Sequence, residues 1–263
     1  MAAAAIAAHI RLPIRARREG AARCGLAFDE LGGPLVVVCG LVGGSGASTL
    51  AFCLARQAAR ESQAPVLLTE PDSRRAGLAV IAGHATPMCL SSLAQRVADD
   101  QAPAEPFLEI QPGLRLVASA PGRGADPEPG HLSALMREAR AAHGIVIVDC
   151  GSAWATAGPL LDAATHIVWT VTATGAAVAR AGLMVASDAL PTPGRWHEVL
   201  VAVAMERRPS ASVRALRRLA AHRCERLVLA PHSEAAARGA FADASIDLGR
   251  PLTGIAQVLR RTR

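Results

Sequence analysis

The residues best equipped for chemistry stand together in Val36-Val37-Val38-Cys39-Gly40-Leu41-Val42-Gly43-Gly44-Ser45-Gly46-Ala47-Ser48-Thr49. An apolar strand, a glycine-rich turn and a helix in that order aim backbone N–H groups at one point. The helix N-terminus adds its partial positive charge, so an anion site is expected there. Read as a phosphate loop, the G-K-[ST] ending falls on Gly46-Ala47-Ser48. Ser48 then takes the magnesium-ligand position, and Ala47 stands where a lysine would reach the β- and γ-phosphates. Read as a dinucleotide turn, Gly40, Gly44 and Gly46 let the backbone approach a pyrophosphate, and Glu70 ends the second strand where a carboxylate could bind ribose. Read as a nucleophile elbow, Gly43-x-Ser45-x-Ala47 makes Ser45 the nucleophile. An elbow needs an abrupt turn, and eight residues between Cys39 and Ser48 suit a phosphate loop better. A glycine-rich strand-to-helix turn without any ligand is the remaining reading.

The elements that must position this loop are legible as alternating short β-branched runs and longer helical stretches from Pro34 onward. The strand candidates are Leu35 to Cys39, Val66 to Thr69, Leu114 to Ala118, Ile145 to Asp149, Ile167 to Val171, Val199 to Val203 and Leu227 to Leu229. Several are uninterrupted apolar runs, the pattern of strands covered on both faces. Helical candidates are Ser48 to Glu61, His131 to His143, Gly175 to Leu190, Ser212 to His222 and Pro251 to Arg261. Alternation of this kind predicts an α/β fold, a mostly parallel sheet with helices on both faces and right-handed crossovers. Ala120 to Gly130 and Ala189 to Gly194 read as surface loops. Residues 34–263 form one domain in this reading, preceded by a flexible extension over residues 1–33.

Composition narrows the chemistry further. The chain has 263 residues, is 51% hydrophobic and carries a net charge of +6, and all 28 of its basic residues are arginine. There is no lysine and no tyrosine, which excludes every lysine-dependent mechanism. The charge permits contact with nucleic acid or an anionic membrane without requiring either. The six cysteines, Cys24, Cys39, Cys53, Cys89, Cys150 and Cys224, show no metal-ligand spacing. They read as small core hydrophobes in a reducing compartment. The eight histidines form no ligand cluster either. No apolar run reaches the length of a membrane span, so a cytoplasmic protein is expected, with a peripheral membrane contact still open. The alanine-rich, then arginine-rich first 20 residues place charge after the apolar stretch. That order argues against a secretory signal and suits a flexible tail, a misplaced start codon or an organellar transit peptide.

Three motifs in order carry a resemblance. Val42-Gly43-Gly44-Ser45-Gly46-Ala47-Ser48-Thr49 resembles the deviant Walker A motif of the MinD/ParA superfamily, K-G-G-x-G-K-[ST]-[ST], with both lysines replaced. Val66 to Asp72 resembles that family's second-strand motif, whose two carboxylates are separated by one residue. Ile145 to Gly151 resembles its Walker B strand, ending in Asp and then Gly. The order of elements is also similar to the CpaE/TadZ branch, particularly its actinobacterial members near helicase and secretion genes or described as septum-site-determining. The resemblance covers roughly residues 34–263 and lacks that branch's receiver-like N-terminal domain.

The resemblance implies a three-layer P-loop NTPase fold that binds ATP or ADP with Mg. Gly43, Gly44, Ser45, Gly46, Ala47, Ser48 and Thr49 would hold the nucleotide, Ser48 and Asp149 the metal, and Asp72 would serve hydrolysis. Helix capping and a strand-end turn are the structural alternatives for Asp72 and Asp149. In the family, the lysine at the Ala47 position stabilises the transferring phosphoryl group. The lysine at the Val42 position reaches the partner subunit's nucleotide and couples ATP to dimerisation. Alanine and valine supply no charge, and each such cation is worth several kcal/mol of barrier. A degenerate ATPase is therefore expected, with Arg74 or Arg75 as the substitute cation if turnover survives. The glycine spacing is also similar to short-chain dehydrogenases, but their catalytic tyrosine and lysine are missing.

Two surfaces suggest partners. On Ser212 to His222, Arg214, Arg217 and Arg218 fall on one helix face and Val213, Leu216 and Ala220 on the other. Such a face could grip DNA phosphates, as ParA-like proteins do, or be a solvated surface. The stretch from Leu252 to Arg263 is amphipathic with a basic end, loosely similar to the membrane-targeting tail of MinD, or else it docks on the core. The expected role is a localisation factor for a septum, pilus or secretion apparatus, acting through protein contacts and homodimerisation.

Overall fold

Runs of Val, Ile and Leu with no polar alternation are stable only where helices cover both faces of a sheet, and that is how they are used here. The computed structural model describes residues 32–255 apart from 72–76, 85, 87, 100, 102–106, 119–127, 153–157, 188–189, 191–195, 207–210, 242, 245–247, 250 and 254. Its strands are β1 (Leu35–Gly40), β2 (Val66–Thr69), β3 (Leu108–Gln111), β4 (Leu114–Val117), β5 (Ile145–Gly151), β6 (His166–Thr172), β7 (His197–Val203) and β8 (Arg226–Ala230). They form one eight-stranded sheet in the order β3-β4-β2-β5-β1-β6-β7-β8. All neighbours are parallel except β3 with β4.

The helices are α1 (Ala47–Glu61), α2 (Gly77–Ala82), α3 (Leu90–Ala98), α4 (Pro129–Ala142), α5 (Gly158–Ala163), α6 (Gly175–Ala186), α7 (Val213–Ala221) and α8 (Glu234–Ala237). Alternate residues of each strand face opposite sides, and β1 divides accordingly. Val36 and Val38 join α1, α2 and α8 in one core layer. Leu35, Val37 and Cys39 join α3, α4, α5, α6 and α7 in the other. The result is the expected α/β architecture of a mostly parallel sheet between two helical layers.

The expected strands recur with ends moved by no more than two residues. Strand β3 is an addition: Leu-Glu-Ile-Gln is short, half-exposed and lies at the sheet edge. Helices α2, α3, α5 and α8 are additions too, each of nine residues or fewer. Two expectations need correction. The helix from Gly175 stops at Ala186, and Leu190 is non-helical and buried. Pro129 and Gly130 belong to α4, with the proline in the first turn where its missing N–H costs nothing.

Residues 1–31 lie outside the described residues. Gly33 is tied to the end of α4, donating to the Arg140 carbonyl at 2.8 Å and accepting from Arg140 Nε at 2.8 Å. At the sheet edge where β6 and β7 begin, Glu198 is 1% exposed and fully partnered. Arg223 donates from Nε to Oε2 at 2.6 Å and from Nη2 to Oε1 at 3.1 Å, and Trp169 Nε1 donates to Oε2 at 2.5 Å. The same guanidinium sits 4.9 Å from the Trp169 ring centroid. Beside it, the His166 and His197 rings stack at 5.1 Å and His197 Nδ1 meets Glu225 Oε1 at 2.6 Å.

Candidate functional site

The parallel strands bring their C-terminal ends to the opposite edge, and β1 is the point where the chain's crossovers diverge: β5 and β2 lie to one side, β6 to the other. Such a switch point is where open α/β sheets bind ligands. The glycine-rich loop opens there. It starts at Gly40, where a Cβ would meet Ser45 Oγ at 2.5 Å, so only glycine fits. The Leu41 amide donates to the Thr170 carbonyl at 2.8 Å, fastening the loop to β6. The Ser45 hydroxyl pairs with Thr170 Oγ1 at 2.7 Å and the residue is 3% exposed. A hydroxyl turned into the sheet in this way is not presented as a nucleophile, and the elbow reading fails on that geometry.

Gly44 and Gly46 have φ of 70° and 80°, left-handed backbone that turns successive amides inward. A Cβ added to Gly43 or Gly44 would touch nothing within 4 Å, so open space lies over the turn. Helix α1 then begins with Gly46 as its N-cap, no side-chain cap and no acidic residue in its first turn. Its first amides are left for solvent or a ligand. Ser48 and Thr49 are half-buried at this mouth. Val42 and Ala47, the positions where the resemblance expects lysines, are 8% and 5% exposed and packed into the two core layers, one in each. No basic side chain occurs anywhere in residues 34–55.

Two buried carboxylates face this region. Asp149, at the end of β5, is 4% exposed and accepts from the Gly151 amide at 2.9 Å. Glu70, immediately after β2, is 3% exposed; its Oε2 accepts from the Leu78 amide at 3.0 Å while Oε1 has no hydrogen-bond partner among the described residues. Burial pushes the Glu70 carboxyl up to about 7, the Leu78 amide opposes the rise, and the nearby Asp149 adds to it. A Cβ on Gly77 would lie 3.2 Å from Ser48 Oγ and 3.8 Å from Glu70 Oε2, so Gly77 is what lets Ser48 and Glu70 converge. Glu70 enters the sequence reading as a ribose-binding carboxylate of a dinucleotide turn and within the second-strand motif; its burial and its amide contacts come from the chain returning through α2. Asp72, Arg74 and Arg75 lie outside the described residues.

A cavity of ≈ 170 Å³ adjoins the loop, lined by Gly46 and Thr49, by Val203 at the end of β7 and by Met205, Pro231 and His232 from beyond the ends of β7 and β8. Sequence reasoning misses these last four, because nothing in their types marks them; only parallel strand ends bring them to Gly46. On α7, Arg214, Arg217 and Arg218 are exposed while Leu216, Leu219 and Ala220 are buried. Val213, the first residue of α7, is 43% exposed, which corrects its assignment to the packing face. Of the C-terminal amphipathic stretch, Leu252 and Ile255 pack into the core, and its basic end lies outside the described residues. Among the described residues no group of three His, Cys, Asp or Glu could hold a metal, and no helix is long and apolar enough to cross a membrane.

The fold as a whole has counterparts among solved structures. A ParA family ATPase from Chlorobium tepidum TLS superposes with a TM-score of 0.66 over 85% of this chain and 98% of that one, at 18% identity. The chain has the fold of the MinD and ParA ATPases. The MinD of the MinC:MinD cell division complex from Aquifex aeolicus superposes with a TM-score of 0.60 at 14% identity, covering 87% of this chain and 94% of that one. The septum site-determining protein MinD from Pyrococcus horikoshii OT3, complexed with Mg-ADP, gives 0.58 at 14% identity, covering 87% and 93%. No protein-family model and no curated protein matches the sequence. In this MinD/ParA-like fold the loop, Ser48 and Asp149 occupy one edge, and the paired Glu198 and Arg223 occupy the other.

Proposed function

We propose that the chain is a degenerate MinD/ParA-like P-loop protein that holds a nucleotide with little or no hydrolysis. In this role it acts as a localisation or regulatory factor for septum placement or for pilus or secretion assembly. The observation that carries this reading is the fate of the two lysine positions: Val42 and Ala47 are buried among apolar side chains.

A nucleotide's phosphates fit what the residues offer. The left-handed Gly44 and Gly46, the open space over Gly43 and Gly44 and the uncapped α1 present amides to an anion. A divalent cation fits the donors Ser48 Oγ and Asp149, and Glu70 Oε1, without a hydrogen-bond partner among the described residues, is a further oxygen near Asp149. Bound there, magnesium would neutralise phosphate charge. The cavity beside Gly46 and Thr49 is apolar enough for a base. What does not fit is stabilisation of charge on a terminal phosphoryl group, because residues 34–55 carry no cation. Such a site binds ADP and ATP about equally. It lacks the interaction that strengthens in the transition state and speeds the chemical step.

Binding without turnover suits a protein that works through contacts. The MinC:MinD complex shows a protein of this fold engaging a protein partner, and we assign this chain the same kind of role, with homodimerisation across the loop edge. The exposed Arg214, Arg217 and Arg218 offer a surface for polyanions, either DNA or an anionic membrane. Arg74 or Arg75 would be the cation of an atypical active ATPase. Isothermal titration with ADP, ATP and NAD, with and without magnesium, tests the reading. Magnesium-enhanced binding of ADP and ATP with similar affinity supports it. Binding of NAD alone would replace it with an oxidoreductase, and no binding at all would leave a ligand-free scaffold.

A further inference from the structure

Cys39 and Cys150 meet at the sheet edge directly beneath the loop. In the β1–β5 ladder Val37 lies opposite Val148 and Val38 opposite Asp149, after which the register slips and Cys39 pairs with Gly151. Cys150 is the extra residue of this irregularity, one position from the partner of Cys39, and both cysteines belong to the same core layer. They are 0% and 2% exposed and carry free thiols, and Cys39 lies near enough to raise the Cys150 thiol. Adjacent strands run about 4.8 Å apart, so a residue one position from the direct partner falls within reach of the Cα range of about 4.4–6.8 Å that a disulfide spans.

Their neighbours make the pair consequential. Cys39 precedes Gly40, the first residue of the loop, and Cys150 separates Asp149 from Gly151. A Cβ on Gly40 would lie 2.5 Å from Ser45 Oγ and 3.3 Å from the Gly151 carbonyl, so the base of the loop and the end of β5 are packed without slack. A covalent link between the two strands therefore acts on the loop itself.

We propose that Cys39 and Cys150 are a peroxide-sensitive redox site whose disulfide clamps the base of the loop to the end of β5. One sulfur attacks a peroxide oxygen; the O–O bond breaks, and a sulfenic acid and one water result. The second sulfur attacks the first, the S–S bond forms, the S–O bond breaks and a second water leaves. Two thiols are thus oxidised by two electrons while one hydrogen peroxide is reduced to two waters, and a dithiol reductant reverses the change. Nearby Cys39 and burial both push the Cys150 thiol up, so oxidation proceeds through opening of the strand end and is slow. Cys89, despite partial burial, is drawn down by Ser91 and Ser92 and reacts sooner.

The clamp stands apart from the nucleotide reading, and its test is built to keep the two separate. The full chain is treated with hydrogen peroxide, alkylated after unfolding and mapped without reduction. Amide hydrogen exchange of residues 40–46 is followed on the same samples. The expected result is a peptide pair joined through Cys39 and Cys150, reversed by dithiothreitol and absent in Cys39→Ala and Cys150→Ala. Exchange across the loop should slow on the order of tenfold in the oxidised form. Should either variant fail to fold, the wild-type map before and after dithiothreitol decides alone. Alkylated Cys39 and Cys150 beside oxidised Cys89 would overturn the site, and a disulfide with unchanged exchange would overturn the clamp. Failure of ADP to bind the reduced protein would count against the nucleotide reading only.

Discussion

The two edges of the sheet treat a buried carboxylate in opposite ways. Where β6 and β7 begin, Glu198 is enclosed by Arg223 and Trp169, each oxygen accounted for. Where β2 and β5 end, Glu70 is held by the backbone amides of the Gly77–Ala79 turn and meets no cation among the described residues, and burial together with Asp149 holds its carboxyl up at about 7. An uncompensated buried carboxylate is costly in a low-dielectric interior. Among the described residues the difference lies in the partner: at the closed edge a fitted guanidinium locks strand to strand. At the loop edge backbone amides hold Glu70 and Asp149 in place of a cation.

That contrast can be broken at several points. The largest effect belongs to the closed edge. Arg223→Ala leaves Glu198 buried and unpaired, and should lower unfolding free energy in urea by about 3–5 kcal/mol. A loss under about 1 kcal/mol would mean that the pair is not holding the edge. Next comes Glu70. Its folded-state carboxyl titrates near 7, above the ordinary 4.5, so the folded state binds more protons than the unfolded one between those values. Stability is then fully present below pH 4.5 and is lost as pH rises through 7, by up to roughly 3 kcal/mol. Glu70→Gln should remove that slope and make the protein more stable than wild type above pH 7; parallel pH–stability curves for the two proteins would contradict it.

Smaller changes sharpen the comparison. Gly46→Ala introduces a Cβ whose nearest contact is Val203 Cγ1 at 3.6 Å, so its cost comes from φ of 80° and should be about 1–2 kcal/mol. It should also weaken ADP binding by moving the loop amides, and unaltered binding would detach Gly46 from the site. Ser212 caps α7 by accepting from the Ala215 amide at 3.2 Å. Ser212→Ala should cost about 1 kcal/mol in thermal unfolding and leave ADP binding unchanged.

Legibility in the sequence followed the physics of each element. The central strands are readable because a strand covered on both faces has no polar alternation, as in Val36-Val37-Val38 and Ile145-Val146-Ile147-Val148. Strand β3 is unreadable for the converse reason: Leu108-Glu109-Ile110-Gln111 is an edge strand with no apolar run. The loop is readable because its glycines are needed in a fixed place, at Gly40 by a contact and at Gly44 and Gly46 by backbone angle. The cavity and the state of Glu70 are not, since Met205, His232 and Leu78 arrive from distant segments whose placement depends on strand order. Val213 is exposed where a helical wheel predicts burial, since angular position alone does not show how far the core extends along the helix.

The loop presents its amides on a segment, residues 34–55, that carries no cation. Single-turnover release of phosphate from ATP and magnesium, compared between the wild-type chain and Asp149→Ala, tests that most directly. Equal release from the two, at the level of ATP alone, is the predicted result. Wild-type release that disappears in Asp149→Ala would contradict it and hand the site to an active ATPase with an arginine at the terminal phosphate.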